Sequence, residues 1–163
     1  MTVAETLLKD FTREAEGTKR LLDRVPEDKF SWKPHEKSTA MGRLSMHIAE
    51  LPWWIDDIIT KGEYNFADHP FKPNIPTTLD QVMAEFEAKY TRTVELLSSV
   101  SDEDLQKDWI LKMGEKTLRT MPRWEAIRQI LNHIIHHRGQ LTVFLRLNNV
   151  PLPGLFGPTA DER

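Results

Sequence analysis

Three histidines stand within five residues in the stretch NHIIHHRGQL at positions 132–141, half of the six in the chain. Imidazole titrates near neutral pH and, when neutral, is a common ligand for divalent metals. What His133, His136 and His137 can do depends on which of them face inward. At about 100° per residue, with His137 at zero, His133 falls at about −40°, between Ile130, Leu141 and Phe144 on one apolar stripe. His136 falls at about −100° and leaves that stripe. Two of the three rings are therefore expected to point into the fold one turn apart, with the third at its edge or in water.

A second segment, SMHIAELPWWI, repeats the pattern with one ring. His47 lies at the centre of a stripe formed by Leu44, Leu51, Trp54 and Ile58. Burying three imidazoles without partners is costly, since each has two nitrogens to satisfy. One divalent cation satisfies a nitrogen on each ring at once, and a histidine pair at i, i+4 plus one from a neighbouring helix is a sound three-histidine geometry. The competing reading is that each ring is a hydrogen-bonded core residue, and spacing alone leaves both open.

These rings need helices to position them, and the periodicity supplies four. The first is expected over about 3–24, with Leu7, Phe11, Ala15 and Leu22 inward and Pro26 beyond its end. The second is expected from Ser38 or Thr39 to about Lys61, stopped by Gly62. Pro52 inside it lacks an N–H and frees the carbonyl of Ile48, so a kink is expected just past His47. The linker GEYNFADHPFKPNIP reads as a crossover loop. A third helix follows, opened by Thr78 and Gln81 at capping-box spacing, with Val82, Phe86, Tyr90, Thr93, Leu97 and Val100 inward. DWILKMGEKTLRT alternates about a turn at Gly114 and suggests a hairpin over about 109–120. Pro122 then opens a fourth helix, about 123–148. The expected fold is all-α: one domain over 1–163, a four-helix bundle with long crossover connections and a small accessory hairpin.

Composition narrows the function. The 163 residues suffice for one sizeable core. A net charge of −3 offers no basic patch for phosphate, so nucleic acid is not an expected partner. No apolar run is long enough for a membrane span and no leader pattern opens the chain, so a cytoplasmic protein is expected, with no membrane partner. Cysteine is absent. Disulfides, thiolate metal sites and a cysteine nucleophile are excluded, and any sulfur chemistry must use sulfur from the substrate.

The segments WKPHEKSTAMGRLSMHIAELPWWI and NHIIHHRGQLTVFLRLNNVPLPGLFGPTADE resemble the DinB-like family of metal-binding four-helix bundles. The resemblance covers nearly the whole chain and is most specific in HxxxHRGQ and in the tail VPxPGxxGPxADE. It implies that the three metal ligands are His47, His133 and His137, the same three that the helical stripes place inside. Three neutral imidazoles leave at least one coordination position open, unlike a closed structural zinc site. A cation so held lowers the pKa of a bound water or thiol, which suits hydrolysis or transfer from sulfur. The wider superfamily includes thiol-dependent S-transferases and isomerases as well as members described as metal-dependent hydrolases.

The resemblance thus implies a metal-dependent enzyme acting on a small molecule. A thiol-dependent S-transferase ranks first and a metal-dependent hydrolase second; a stress-associated protein that holds metal without turnover is the third reading. Nickel or zinc is the expected ion, with a low-molecular-weight thiol as co-substrate. Family members are often dimers, and a homodimer is expected here, since Val150, Leu152, Leu155 and Phe156 need somewhere to dock. Glu50, one turn after His47, is a candidate base or ligand-orienting acceptor, with a solvated ion pair as its alternative. Gln140, one turn after His137, could orient a ligand or make a helix–helix hydrogen bond. Arg138 could pair with an acidic residue, Gly139 could allow close helix packing, and Trp54, beside Trp53, could wall a pocket.

Overall fold

The computed structural model describes residues 1–70 and 72–162. Helix α1 (Val3–Leu22) starts at a capping box. The Thr2 hydroxyl accepts from the Glu5 N–H, and the Glu5 carboxylate accepts from the Thr2 N–H. Its next free donors, the N–H groups of Val3 and Ala4, both reach the Asp102 carboxylate at 2.9 Å, which ties the first turn to a distant segment. The helix ends at Leu22, two residues earlier than the periodicity predicts, and one 3₁₀ turn (Glu27–Lys29) follows Pro26.

The expected second helix is two helices, α2 (Met41–Glu50) and α3 (Trp53–Thr60). Pro52 interrupts more than it bends, because it cannot donate to Ile48 and the chain restarts with Pro52 as the N-cap of α3. Helix α2 also starts later than Ser38 or Thr39. Its cap is Ala40, which has no side-chain acceptor, and backbone carbonyls do the work instead. The N–H groups of Met41 and Gly42 donate to the carbonyls of Trp32 and Phe30 at 2.9 and 3.0 Å. That approach requires glycine, since a Cβ at Gly42 would come within 2.8 Å of the Phe30 ring.

Helix α4 (Leu79–Ser99) keeps only half of its expected capping box. Thr78 accepts from the Gln81 N–H, but the Gln81 amide oxygen accepts from the N–H of Thr77. Of the side chains expected inward, Val82, Phe86, Thr93 and Leu97 are buried, while Tyr90 is half-buried and Val100 is the C-cap. A short helix α5 (Asp102–Gln106), which the periodicity does not reveal, is held by the Ser101 cap.

The hairpin is present as β2 (Asp108–Met113) and β3 (Lys116–Pro122), turning at Gly114 with φ +59°. The crossover linker also contributes a strand, β1 (Glu63–Asn65), parallel to β2. The architecture is therefore mostly helical with a three-stranded sheet, and all-α describes it only approximately. Helix α6 (Arg123–Leu147) follows Pro122 directly.

Helix α1 on one side and α2–α3 on the other each pack against both α4 and α6. Phe11, Leu22, Met41, Leu44, Ile48, Ile55, Ile58, Leu97, Leu141 and Leu145 fill the interior. The tail folds back on the bundle. Arg20 of α1 and Arg24 just beyond it hold Glu162 at 2.6 and 2.9 Å, and Arg146 of α6 pairs with Asp161. Val150, Leu152 and Leu155 thereby pack on the core of their own chain, and Phe156 stays 76% exposed. Among the described residues no helix is long and apolar enough to cross a membrane.

Candidate metal centre

Helices α2 and α6 lie side by side, and this brings His47 together with His133 and His137. One nitrogen from each ring lies within 4.8 Å of the others. Ring centroids are 4.7 Å apart for His47–His137, 5.5 Å for His47–His133 and 4.6 Å for His133–His137. His136 is exposed and outside the group, as its place on the helix predicts. The expected depth differs from the observed one. His133 is open to solvent and the other two are half-buried, because a cleft, not packed core, lies in front of them.

The hydrogen bonds fix how the rings are presented. The Gln140 amide oxygen lies 2.7 Å from Nδ1 of His137 and can only accept, so Nδ1 carries the proton and Nε2 keeps its lone pair. That Nε2 lies 2.8 Å from Nε2 of His133. Two such atoms either share one proton or converge on one cation. Burial lowers the pKa of His47 to about 4, with His137, Arg43 and His133 adding to the effect. Burial likewise lowers His133, helped by His137 and His136. It lowers His137 too, against the pull of the Gln140 hydrogen bond. At neutral pH the rings are thus uncharged donors, the form a divalent ion requires. The donor set fits a borderline ion such as zinc or nickel and lacks the carboxylates that a hard ion would prefer.

Two clefts meet at this cluster. The first, about 360 Å³, is lined by His47 together with Arg43, Glu50, Trp53, Lys72 and Lys89, among others. The second, about 350 Å³, reaches His133 and is lined by Ile58, Trp109, Leu111, Met121 and Ile130, with Arg119 and Gln129 as its other polar residues. Trp54 and Phe66 border both. Trp54 therefore does wall a pocket, and its contacts with Tyr64, Phe66 and Trp109, at centroid distances of 4.6, 6.0 and 6.3 Å, anchor it.

The other singled-out residues separate clearly. Glu50 is held in an ion pair with Arg43 at 2.9 Å, on the wall of the first cleft. Arg138 is buried and faces away from the cluster, donating to the Glu14 carboxylate at 2.6 Å and the Glu14 carbonyl at 2.8 Å. Gly139 does not serve close packing, since a Cβ there would meet nothing within 4 Å. Arg43, Tyr64, Phe66 and Trp109 were not singled out in the sequence. Arg43 carried a signal, lying one turn before His47. The aromatic pair at 64 and 66 has strand spacing inside a linker that otherwise reads as loop.

A model of the DinB family matches residues 1–157. The chain belongs to the DinB family. Among solved structures, a DinB-like protein from Bacillus cereus ATCC 10987 is 29% identical, with a TM-score of 0.72 over 92% of this chain and 95% of its own. YfiT from Bacillus subtilis, described as a probable metal-dependent hydrolase with an unusual four-helix bundle topology, is 12% identical. Its TM-score is 0.67 over 90% of this chain and 87% of its own. A mycothiol-dependent maleylpyruvate isomerase is 13% identical, with a TM-score of 0.61 over 86% of this chain and 63% of its own. At these identities the last two establish the shared fold.

Proposed function

We propose that His47, His133 and His137 hold one divalent ion, nickel or zinc, and that the protein is a thiol-dependent S-transferase acting on small molecules. The observation that carries this reading is the meeting of two clefts at an open three-histidine cluster. A transfer between two molecules needs two seats with one reactive point between them. When bound, the ion would supply electrophilic stabilisation of an anion, favouring the deprotonated form of a ligand such as a thiol.

The protein's own residues do the rest. Gln140 sets the tautomer of His137 and holds its ring. On the wall of the first cleft Arg43 and Lys89 are paired with Glu50 and Glu85 at 2.9 and 3.4 Å, and Lys72 adds one further positive charge, which suits a thiol carrier bearing a carboxylate. Trp54 and Phe66 screen the approach from water on the side shared by both clefts. The chain has no cysteine, in keeping with sulfur supplied by the co-substrate. The relation to a mycothiol-dependent isomerase supports the same reading.

A hydrolase is the second reading, favoured by the solvent-open His133 and by the description of YfiT. Glu50, on the same cleft as His47, is the candidate base, and its ion pair with Arg43 counts against that role. Cytoplasmic location and homodimer assembly belong to the proposal, and light scattering tests the assembly directly. The function is tested by loading the protein with cobalt and titrating low-molecular-weight thiols. Sulfur donates charge to the metal more readily than oxygen does, so a new absorption band is expected, strengthening as pH rises towards the thiol pKa. His133→Ala should abolish it. No response to any thiol, with histidine-dependent ester or amide cleavage in its absence, would establish the hydrolase instead.

A further inference from the structure

The second cleft is built, by register and helical spacing, from one face of each surrounding element. Ala126, Gln129, Ile130 and His133 of α6 stand at i, i+3, i+4 and i+7, one face of the helix. On the sheet, Trp109 pairs with Met121 and Leu111 with Arg119, so all four share a face. The lining is apolar except for His133, Gln129 and Arg119. Gln129, which touches Arg119, precedes His133 by one helical turn, about 6 Å along the axis.

One cationic group in this wall has no carboxylate partner. Arg119 is exposed and donates to the Gln129 amide oxygen at 3.1 Å, and among the described residues no carboxylate pairs with it. Gln129 spends its own amide N–H on Met121 Sδ at 3.3 Å. A cationic fork beside an apolar wall describes the complement of an organic acid.

We propose that this cleft binds the acceptor substrate, and that the substrate is a small carboxylate with an aromatic or branched apolar body. Arg119 takes the carboxylate, Ile58, Leu111, Met121 and Ile130 take the body, and the reacting end lies towards His133. Arg119 is thus a specificity-determining residue. The volume of about 350 Å³ falls at the lower end of the small-molecule range. Naming this seat as the acceptor's rests on the S-transfer reading, whereas binding of the acid does not.

The test uses 4-phenylbutyrate and its neutral analogue 4-phenylbutanol as probes of the metal-free protein, followed by amide chemical shifts and tryptophan fluorescence. The acid is expected to bind more tightly than the alcohol and to shift the signals of Trp109, Met121 and Ile130. Arg119→Gln should weaken the acid about fivefold, the upper range for a solvent-reached ion pair, and leave the alcohol unchanged. Ile130→Trp should weaken both, while Lys89→Gln in the other cleft should weaken neither. An acid-to-alcohol ratio unaltered by Arg119→Gln overturns the assignment, as does absence of binding or equal sensitivity to Lys89→Gln. Loss of acid binding with the cobalt–thiol response intact removes this proposal alone. Acid binding without any thiol response removes the S-transfer reading alone.

Discussion

His137 and Arg138 are neighbours on α6, yet they live in opposite chemical worlds. Arg138 turns inward, 2% exposed, and its guanidinium is answered by the Glu14 carboxylate and the carbonyl of the same residue. His137 turns towards the histidine cluster, where one nitrogen is answered by Gln140 and the other lies 2.8 Å from Nε2 of His133. A polar group that stabilises a fold has its partners built in. A polar group that binds something keeps a partner's place open. The same run, HHRGQ, holds one of each, so type and proximity alone could not separate them.

Breaking the inward pair should have the largest effect. Arg138→Ala leaves the buried Glu14 carboxylate with only the largely exposed Arg13, 3.2 Å away, and should cost about 3 kcal/mol, the lower end for breaking a buried pair. Urea unfolding of the metal-free protein should show this loss. The double variant Glu14→Leu with Arg138→Met should recover most of it, since no uncompensated charge remains. A single-variant loss within experimental error would remove the contrast between the two residues.

The outward side is sharpened by Gln140→Leu. It removes the acceptor that fixes the His137 tautomer, and metal affinity should fall about 10- to 100-fold, as loss of a ligand's orienting partner generally does. Competition with a chelator measures it, and unfolding of the metal-free protein should scarcely change. A stability loss as large as that of Arg138→Ala would make Gln140 a structural residue.

The same contrast appears with pH. His47 titrates near 4 in the fold, below the ordinary histidine value, so the unfolded chain binds more protons between those limits. The contribution is complete above the unfolded pKa of about 6.5 and is lost as pH falls towards 4. His133 and His137 shift in the same direction and titrate with it as a group. Urea midpoints of the metal-free protein should therefore fall over that window, with a shallower slope in His47→Gln. Metal should be released over the same window, as protons compete for the donors.

How far these features could be read in advance follows from how local their causes are. The helical stripes turned His47, His133 and His137 inward because side-chain direction repeats with the helix, and they set His136 apart for the same reason. The hairpin was visible through alternation about Gly114. Depth was not visible, since a wheel reports direction and cannot tell a cleft from a core. The break at Pro52 was expected as a kink, because whether a proline bends or ends a helix depends on what meets the freed groups. Strand β1 exists through its pairing with β2, more than forty residues away by the Glu63↔Ile110 register, and no local pattern announces it. The cap of α2 is the backbone of Phe30 and Trp32, which leaves no mark in the residues beside the helix start.

The central claim, that three histidines from two helices hold one ion, is tested most directly by metal content per chain. Elemental analysis of the purified protein and of His47→Ala, His133→Ala, His137→Ala and His136→Ala, each reloaded with zinc or nickel and desalted, decides it. The account predicts about one ion per chain in the parent and in His136→Ala, the normal stoichiometry of a mononuclear site, with most of it lost in the other three. Equal retention in all four variants, or no retained ion in the parent, would contradict it.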